Sequence, residues 1–169
     1  VEITDNKSKH MVHNDGCPGA KTMSFERNNT NTTVAEPLSV ESQLTHWPVQ
    51  MHLINPVAQY FQNADVIIAA DCVAYALGNF HCKYLKGKSL AIACPKLDSR
   101  QEIYAEKIRK LIDDAKANTI SVMIMQVPCC GGLLQMVQAA ASSAQRKVPV
   151  KYTIVGIQGN ILKEEWITY

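Results

Sequence analysis

The sequence predicts an α/β fold: a three-layer, doubly wound sandwich around a mostly parallel, five-stranded sheet of the flavodoxin or Rossmann-like type. From residue 46 onward, apolar and β-branched runs of strand length alternate with helical patterns, which is typical of βαβ units. A length of 169 residues, with 47% hydrophobic and 19% charged residues, suits one globular domain. Right-handed crossovers favour the doubly wound arrangement, for which we expect the strand order 2-1-3-4-5.

Five strands and four helices are predicted in this region. The strands cover residues 49–54, 65–70, 89–94, 119–127 and 152–157. Their nearly continuous apolar character is typical of strands buried on both faces of a parallel sheet. The helices cover residues 55–61, 73–85 with a break at Gly78, 100–117 and 131–145. The first begins at Asn55-Pro56, a favourable N-cap followed by proline at the first helical position.

Two regions differ in composition. Residues 1–45 are polar and without periodicity, which predicts an irregular N-terminal segment, and residues 46–169 form the α/β domain. A net charge of +2 without a basic stripe argues against nucleic acid as a partner. No apolar run reaches the roughly 20 residues of a membrane helix, and no signal peptide is visible. We therefore expect a cytoplasmic protein with no membrane partner.

Four cysteines follow three of the predicted strands. Cys72 comes two residues after the second strand, Cys94 ends the third, and Cys129 and Cys130 follow the fourth. Parallel strands end at the same edge of a sheet, where open α/β sheets bind their ligands. Converging thiolates suit a soft metal, either zinc or an iron–sulfur cluster. Alternatively, the cysteines fill the core as small apolar residues, because free cysteine is often buried.

Glycines beside the last two cysteines strengthen the metal interpretation. Gly131 and Gly132 let the backbone approach a bulky group, and the N-terminus of the following helix favours thiolates nearby. Cys82 lies within a predicted helix and is interpreted as an ordinary helix residue. Cys17 lies in the turn-rich sequence Gly-Cys-Pro-Gly at residues 16–19 and is significant only if that segment folds back over the crevice.

Other chemistries are less well represented. The chain has no G-x-G-x-x-G after a strand, no P-loop and no G-x-S-x-G sequence. Asp71 and Asp98 are either a carboxylate pair at the cysteine edge or caps of the following helices. His52, in the first predicted strand, is a candidate cofactor contact, and with Asp71 a candidate proton donor should the protein be an enzyme.

Four short motifs carry a family resemblance over residues 44–158. They are Trp-Pro-Val-Gln-Met-His-Leu at 47–53, Ala-Ala-Asp-Cys-Val at 69–73, Cys-Pro-Lys-Leu-Asp at 94–98 and Val-Pro-Cys-Cys-Gly-Gly-Leu at 127–133. Gly-Cys-Pro-Gly at 16–19, before that range, looks like a further motif of the same family. Together they resemble a group of anaerobe proteins called 4Fe-4S ferredoxins or iron–sulfur cluster-binding proteins. The chain lacks the C-x-x-C-x-x-C ferredoxin modules that family members carry, so those clusters are not expected here.

The resemblance implies an iron–sulfur redox protein for electron transfer or storage. It adds Cys17 to the candidate metal ligands Cys72, Cys94, Cys129 and Cys130, with Gly131, Gly132 and His52 as candidate cofactor contacts. Five cysteines imply a [4Fe-4S] cube with one bystander, or a larger cluster. The expected partner is a ferredoxin or an oxidoreductase, and a homodimer is compatible with the sequence. The alternatives are a cluster-dependent reductase of a small molecule and a structural or regulatory zinc protein.

Overall fold

Five strands form one sheet in the computed structural model, which describes residues 40–168. They are β1 (Asp65–Ala70), β2 (Ser89–Ala93), β3 (Thr119–Met125), β4 (Val150–Val155) and β5 (Ile161–Ile167). Their order across the sheet is β2-β1-β3-β4-β5, with β1 to β4 parallel and β5 antiparallel to β4. The predicted mostly parallel, five-stranded sheet is confirmed. Cys17 and almost all of the N-terminal segment lie outside the described residues.

Three α-helices connect the parallel strands. They are α1 (Val73–Ala76), α2 (Glu102–Asp113) and α3 (Gly131–Ser143). Right-handed crossovers place α1 on one face of the sheet and α2 and α3 together on the other, and α2 contacts α3. The predicted break at Gly78 is confirmed, because a separate π-helical segment, Phe80–Leu85, follows α1. Of the predicted helix 55–61, only the 3₁₀ turn Gln59–Phe61 is helical.

The core lies on both faces of β1 and β3. Residues 66–70 of β1 and 122–125 of β3 are all buried, as expected for central strands covered by helices on both sides. On the α2–α3 face, Ile108, Leu111, Leu133 and Val137 are fully buried. Among residues 40–168, no helix has both the length and the apolar character to cross a membrane.

The strand predicted at 49–54 is wrong. Only Gln50 pairs with the sheet, through a single parallel bridge to Ile92. The amides of Leu53 and Ile54 both bond the Gln50 carbonyl, so the chain turns immediately after the bridge. Lys107 Nζ of α2 donates to the carbonyls at positions 51, 52 and 54 at 2.7–2.9 Å, so none of these carbonyls is left to pair with a neighbouring strand.

The C-terminal part of the sheet also differs from the prediction. The strand predicted at 152–157 begins earlier and ends earlier, as β4, and β5 was not predicted. The numerals of the expected order 2-1-3-4-5 recur in the structure, but they refer to a different set of strands, because the first predicted strand is absent and β5 is added. The amide of Gln43 bonds His81 Nδ1 at 3.1 Å, so the described chain contacts the domain before residue 46. The predicted boundary at 45/46 stays a prediction.

Candidate metal centre

Three strands place cysteines at one edge of the sheet. Cys72 is the N-cap of α1, two residues beyond β1, and Cys94 directly follows β2. Cys129 and Cys130 lie in the 3₁₀ turn Pro128–Cys130 between β3 and α3. Because β1 is parallel to both β2 and β3, all of these turns lie at the carboxyl edge of the sheet. We call this group of four the cysteine edge.

The thiols of the cysteine edge influence one another electrostatically. Cys72 is exposed as a residue, yet partial burial of its thiol is the largest cause of its raised pKa. Three acidic neighbours raise that pKa further, and these are Cys94, Asp71 and Cys129. Burial also raises the pKa of Cys130 to about 11, with a backbone hydrogen bond at Met125 opposing and Cys129 and Cys72 adding to the rise. Cys72 and Cys130, whose pKa values are raised, therefore stay protonated at neutral pH unless a cation replaces the protons.

This result differs from one expectation. The helix N-terminus behind Gly131 was expected to favour thiolates, but at Cys130 the loss of water outweighs any such contribution, since the pKa rises. A helix terminus contributes on the order of 1 kcal/mol at an exposed site, and burial of an ionised group costs more.

Asp98 fixes the loop that carries Cys94. Its Oδ2 accepts hydrogen bonds from the Cys94 amide at 2.8 Å, from the Tyr104 hydroxyl at 2.6 Å and from Gln50 Nε2 at 3.3 Å. The Asp98 amide in turn donates to the Cys94 carbonyl at 2.9 Å. Burial, followed by the hydrogen bond to Asp98, raises the pKa of Tyr104, so its hydroxyl remains a donor. Asp98 therefore orders the cysteine loop and does not cap α2, whose N-cap is Gln101.

Asp71 lies beside Cys72 without a hydrogen-bond partner at one oxygen. Its Oδ1 is buried and accepts no bond from the residues that the structure describes. Burial and the charge of Asp98 both raise the pKa of this carboxyl. Asp71 therefore does not cap the following helix through Oδ1. An unpaired carboxylate oxygen at a functional edge is a group that a bound ligand or water would satisfy.

The two glycines of α3 differ in their surroundings. A Cβ on Gly132 would lie 3.5 Å from Pro95 Cβ, so α3 and the Cys94 loop touch there. A Cβ on Gly131 would meet no atom within 4 Å. Protein atoms therefore do not require glycine at position 131, and the space in front of it is open to another group.

Zinc and an iron–sulfur cluster place different demands on the positions of the cysteine sulfurs. Among residues 40–168, no three His, Cys, Asp or Glu side chains are grouped tightly enough to hold a single metal ion. Zinc needs ligand sulfurs at about 2.3 Å, hence about 3.8 Å from one another. A cubane cluster tolerates wider spacing, because each cysteine binds a different iron. The described thiols therefore do not form a closed site for a single zinc ion.

His52 and Cys82 lie apart from the cysteine edge. His52 Nε2 is 2.9 Å from the Ser99 carbonyl, and its ring packs edge-on against Tyr104. It reaches the cysteines only indirectly, through Tyr104 and Asp98. The Cys82 thiol is exposed in the π-helical segment and bonds the Asn79 carbonyl at 3.4 Å. His81 is half-buried, and its Nδ1 accepts a hydrogen bond from the Gln43 amide.

A cavity of about 330 Å³ adjoins the cysteine edge on the α1 face of the sheet. Its lining is mainly apolar and includes Leu44, Phe80 and Leu90, with Asp71, Tyr75 and His81 as the polar members. The sequence did not predict this cavity. A helix was predicted over residues 73–85, whereas α1 is short and leaves this face of the sheet thinly covered. The roles of Tyr104 and Gln50 were also missed. The only available signal was the run Cys-Pro-Lys-Leu-Asp, which places Asp98 four residues after Cys94.

The fold and the edge together define a doubly wound α/β domain with thiols at the carboxyl ends of its parallel strands. The chain belongs to a family of Rossmann-like domains, whose family model matches residues 58–168. An uncharacterized protein of Archaeoglobus fulgidus is 26% identical over 119 residues, which cover 70% of this chain and 83% of that protein. No solved structure matches the chain.

Proposed function

We propose that this protein is an iron–sulfur redox protein that carries or stores electrons. Its cluster would be held by Cys72, Cys94, Cys129 and Cys130, with Cys17 as a fifth candidate from outside the described residues. An iron–sulfur cluster supplies reversible one-electron transfer. The glycines at 131 and 132 keep their place as candidate contacts of the cofactor, whereas His52 would act on it only through Tyr104 and Asp98.

The observation that carries the proposal is that four thiols lie at one edge of the sheet, where no cationic side chain of the described residues lowers the pKa of Cys72 or Cys130. Every charged neighbour of Cys72 that shifts its pKa is acidic and raises it. A cationic iron centre would remove this repulsion, and the folded edge would release protons on binding it.

Electron transfer fits better than catalysis because the edge is open to solvent. Cys72 is exposed and Cys94 and Cys129 are half-buried, so a cluster held there would lie near the surface. Leu97 and Tyr75, on the segments that follow Cys94 and Cys72, are 82% and 93% exposed. Exposed apolar side chains around a polar site are typical of a protein interface. They support a redox protein, such as a ferredoxin or an oxidoreductase, as the partner in the cytoplasm.

A cluster-dependent reductase is the second candidate, and the cavity beside Asp71 favours it. Its volume of about 330 Å³ is at the lower end of ligand sites. Asp71, with its raised pKa, would be the proton donor to a small apolar substrate. His52 does not line this cavity, so its proton-donor role has no support there.

The test is metal analysis of the full chain purified without oxygen. Iron, acid-labile sulfide and zinc are counted on the same sample as an absorption spectrum. We expect a brown protein with matched iron and sulfide and little zinc. Stoichiometric zinc without sulfide would leave the structural zinc alternative, and a chain that takes up neither metal on reconstitution would return the cysteines to the core.

Single cysteine variants assign the ligands. Cys94→Ser and Cys129→Ser should each lower the bound iron severalfold and change the electron paramagnetic resonance signal of the reduced protein. Cys82→Ser is the matched control, because that thiol is exposed and lies apart from the edge. Equal iron loss in the control and the edge variants would show that oxidation or misfolding, rather than ligation, causes the loss.

A further inference from the structure

No described residue covers either face of the edge strand β5. All its residues from Ile161 to Trp166 are exposed, and Ile167 is half-buried. Within residues 40–168, β5 pairs with β4 alone. The backbone N–H and C=O groups of alternate β5 residues therefore point outward from the edge of the sheet, without a partner strand among these residues. Leu162 and Trp166 are 51% and 58% exposed. A free edge with apolar side chains favours pairing with another strand.

The sequence of β5 is self-complementary about Glu164. When a second copy runs antiparallel with Glu164 opposite Glu164, Lys163 of each copy faces Glu165 of the other. Opposite charges are cross-strand neighbours that stabilise antiparallel sheets. A two-fold axis makes this contact twice.

The central pair of glutamates does not oppose this register. Glu164 Oε1 is 2.6 Å from Lys151 Nζ of β4, and Glu164 Oε2 accepts from Thr153 Oγ1 at 3.2 Å. Each Glu164 charge is therefore neutralised within its own chain. Lys163 and Glu165 already pair at 3.0 Å within the strand, and both remain about half exposed. The two copies would bring four such charges together with alternating sign.

We propose that β5 is a dimer interface, through which two copies join their sheets into one continuous ten-stranded sheet. The β-bulge leaves Leu162 of β5 unpaired next to the turn, because Ile154 pairs with Lys163 and Val155 pairs with Ile161, so the residues from 163 to 166 remain regular for pairing. The cysteine edge contributes nothing to this contact, so the dimer and the metal centre are independent of each other.

Two opposite charge variants test the interface in the full chain. In Lys163→Glu, the introduced glutamate of each copy faces Glu165 of the other, and in Glu165→Lys the introduced lysine of each copy faces Lys163 of the other. Sedimentation velocity from about 1 to about 100 µM should show wild type as a dimer and each variant as a monomer. An equimolar mixture of the two variants should dimerise again, because both acidic side chains of one chain then face both basic side chains of the other.

The mixture separates the interface from local damage. Both variants lose the pair within the strand, and mixing cannot restore that pair, so recovery must come from contacts between chains. Lys110→Glu on α2 makes the same charge change far from β5 and should stay dimeric, with circular dichroism confirming the fold of each variant. A monomeric wild type at all concentrations, a dimer that both variants retain, or a mixture that stays monomeric would each overturn the proposal.

Discussion

Among single residues, Asp98 decides where Cys94 lies. One carboxylate oxygen gathers an amide, a hydroxyl and a side-chain amide from three separate parts of the chain. A hydrogen bond to a charged group contributes about 1.5–3 kcal/mol, so the loop is held firmly. The sequence left open whether Asp98 forms a carboxylate pair with Asp71 at this edge or caps the following helix. It did not predict the partners, because Gln50 and Tyr104 reach Asp98 only through tertiary packing.

Asp71 is expected to lower stability in the metal-free protein. Its buried Oδ1 has no bond within the described residues, and its pKa is raised by burial and by Asp98. Asp71→Asn removes the charge at nearly constant volume. We expect it to raise the free energy of unfolding at pH 7 by about 1 kcal/mol, the low end for an unsatisfied group, because the residue is only partly buried. Urea unfolding measures the change.

The pH dependence of this gain has a definite sign. A carboxyl whose folded pKa is raised binds more protons in the folded state, so wild-type stability falls as pH rises from 3.8 through the folded pKa. The advantage of Asp71→Asn should therefore shrink on acidification and vanish below about pH 3.8. Asp114→Asn, at the exposed C-cap of α2, should change stability by no more than a few tenths of a kcal/mol. A gain in that control, or none in Asp71→Asn, would contradict the account.

Among the elements, α2 holds the turn at residues 51–54 in place through the side chain of Lys107. Lys107 Nζ donates to three carbonyls of the turn that enters the domain, those of Met51, His52 and Ile54. Lys107→Met keeps the apolar stem but leaves these carbonyls without their donor. We expect a loss of about 3 kcal/mol in unfolding free energy, measured by urea titration, together with faster amide exchange at residues 50–54.

Lys110 on the same helix provides the control. It pairs with Glu106 at 2.7 Å, but both side chains are substantially exposed. Such surface pairs contribute roughly 0–1 kcal/mol, so Lys110→Met should cost far less than Lys107→Met. Equal costs would mean that the loss comes from helix charge rather than from the three carbonyls.

The elements that the sequence predicted well are those decided by local pattern. The runs at 65–70, 89–94 and 119–127 match β1, β2 and β3 closely, because buried parallel strands are continuously apolar. The run 49–54 is also largely apolar, but its carbonyls are taken by Lys107, which no local pattern reveals. β5 was missed for the opposite reason. Its centre, Lys163-Glu164-Glu165, is charged, and it becomes a strand by pairing with β4.

At the scale of the whole molecule, topology predicted the candidate site better than residue chemistry did. The rule that parallel strands end at one edge was enough to expect Cys72, Cys94 and Cys129 as neighbours, and Cys94 and Cys129 both lie close enough to Cys72 to raise its pKa. The same rule could not show the cavity beside Asp71, since that depends on the shortness of α1. It also could not place His52, because the segment that carries it turns away from the sheet.

The proposed dimer should dissociate in acid. The hydrogen bond from Lys163, followed by that from the Tyr152 hydroxyl, holds the pKa of Glu165 below its ordinary value of 4.5. In the dimer, Lys163 of the other copy would also face Glu165, so the pKa of Glu165 should be lower in the dimer than in the monomer, and the dimer loses this contribution as pH falls from the monomer value through the dimer value. Sedimentation velocity should therefore show a constant dimer from pH 7 to about 5 and a growing monomer fraction below about 4.5. Glu165→Gln, which carries no charge to lose, should form a weaker dimer whose remaining acid sensitivity is smaller. If wild type and Glu165→Gln dissociate in parallel as the pH falls, the pairs between Lys163 and Glu165 do not hold the two copies together.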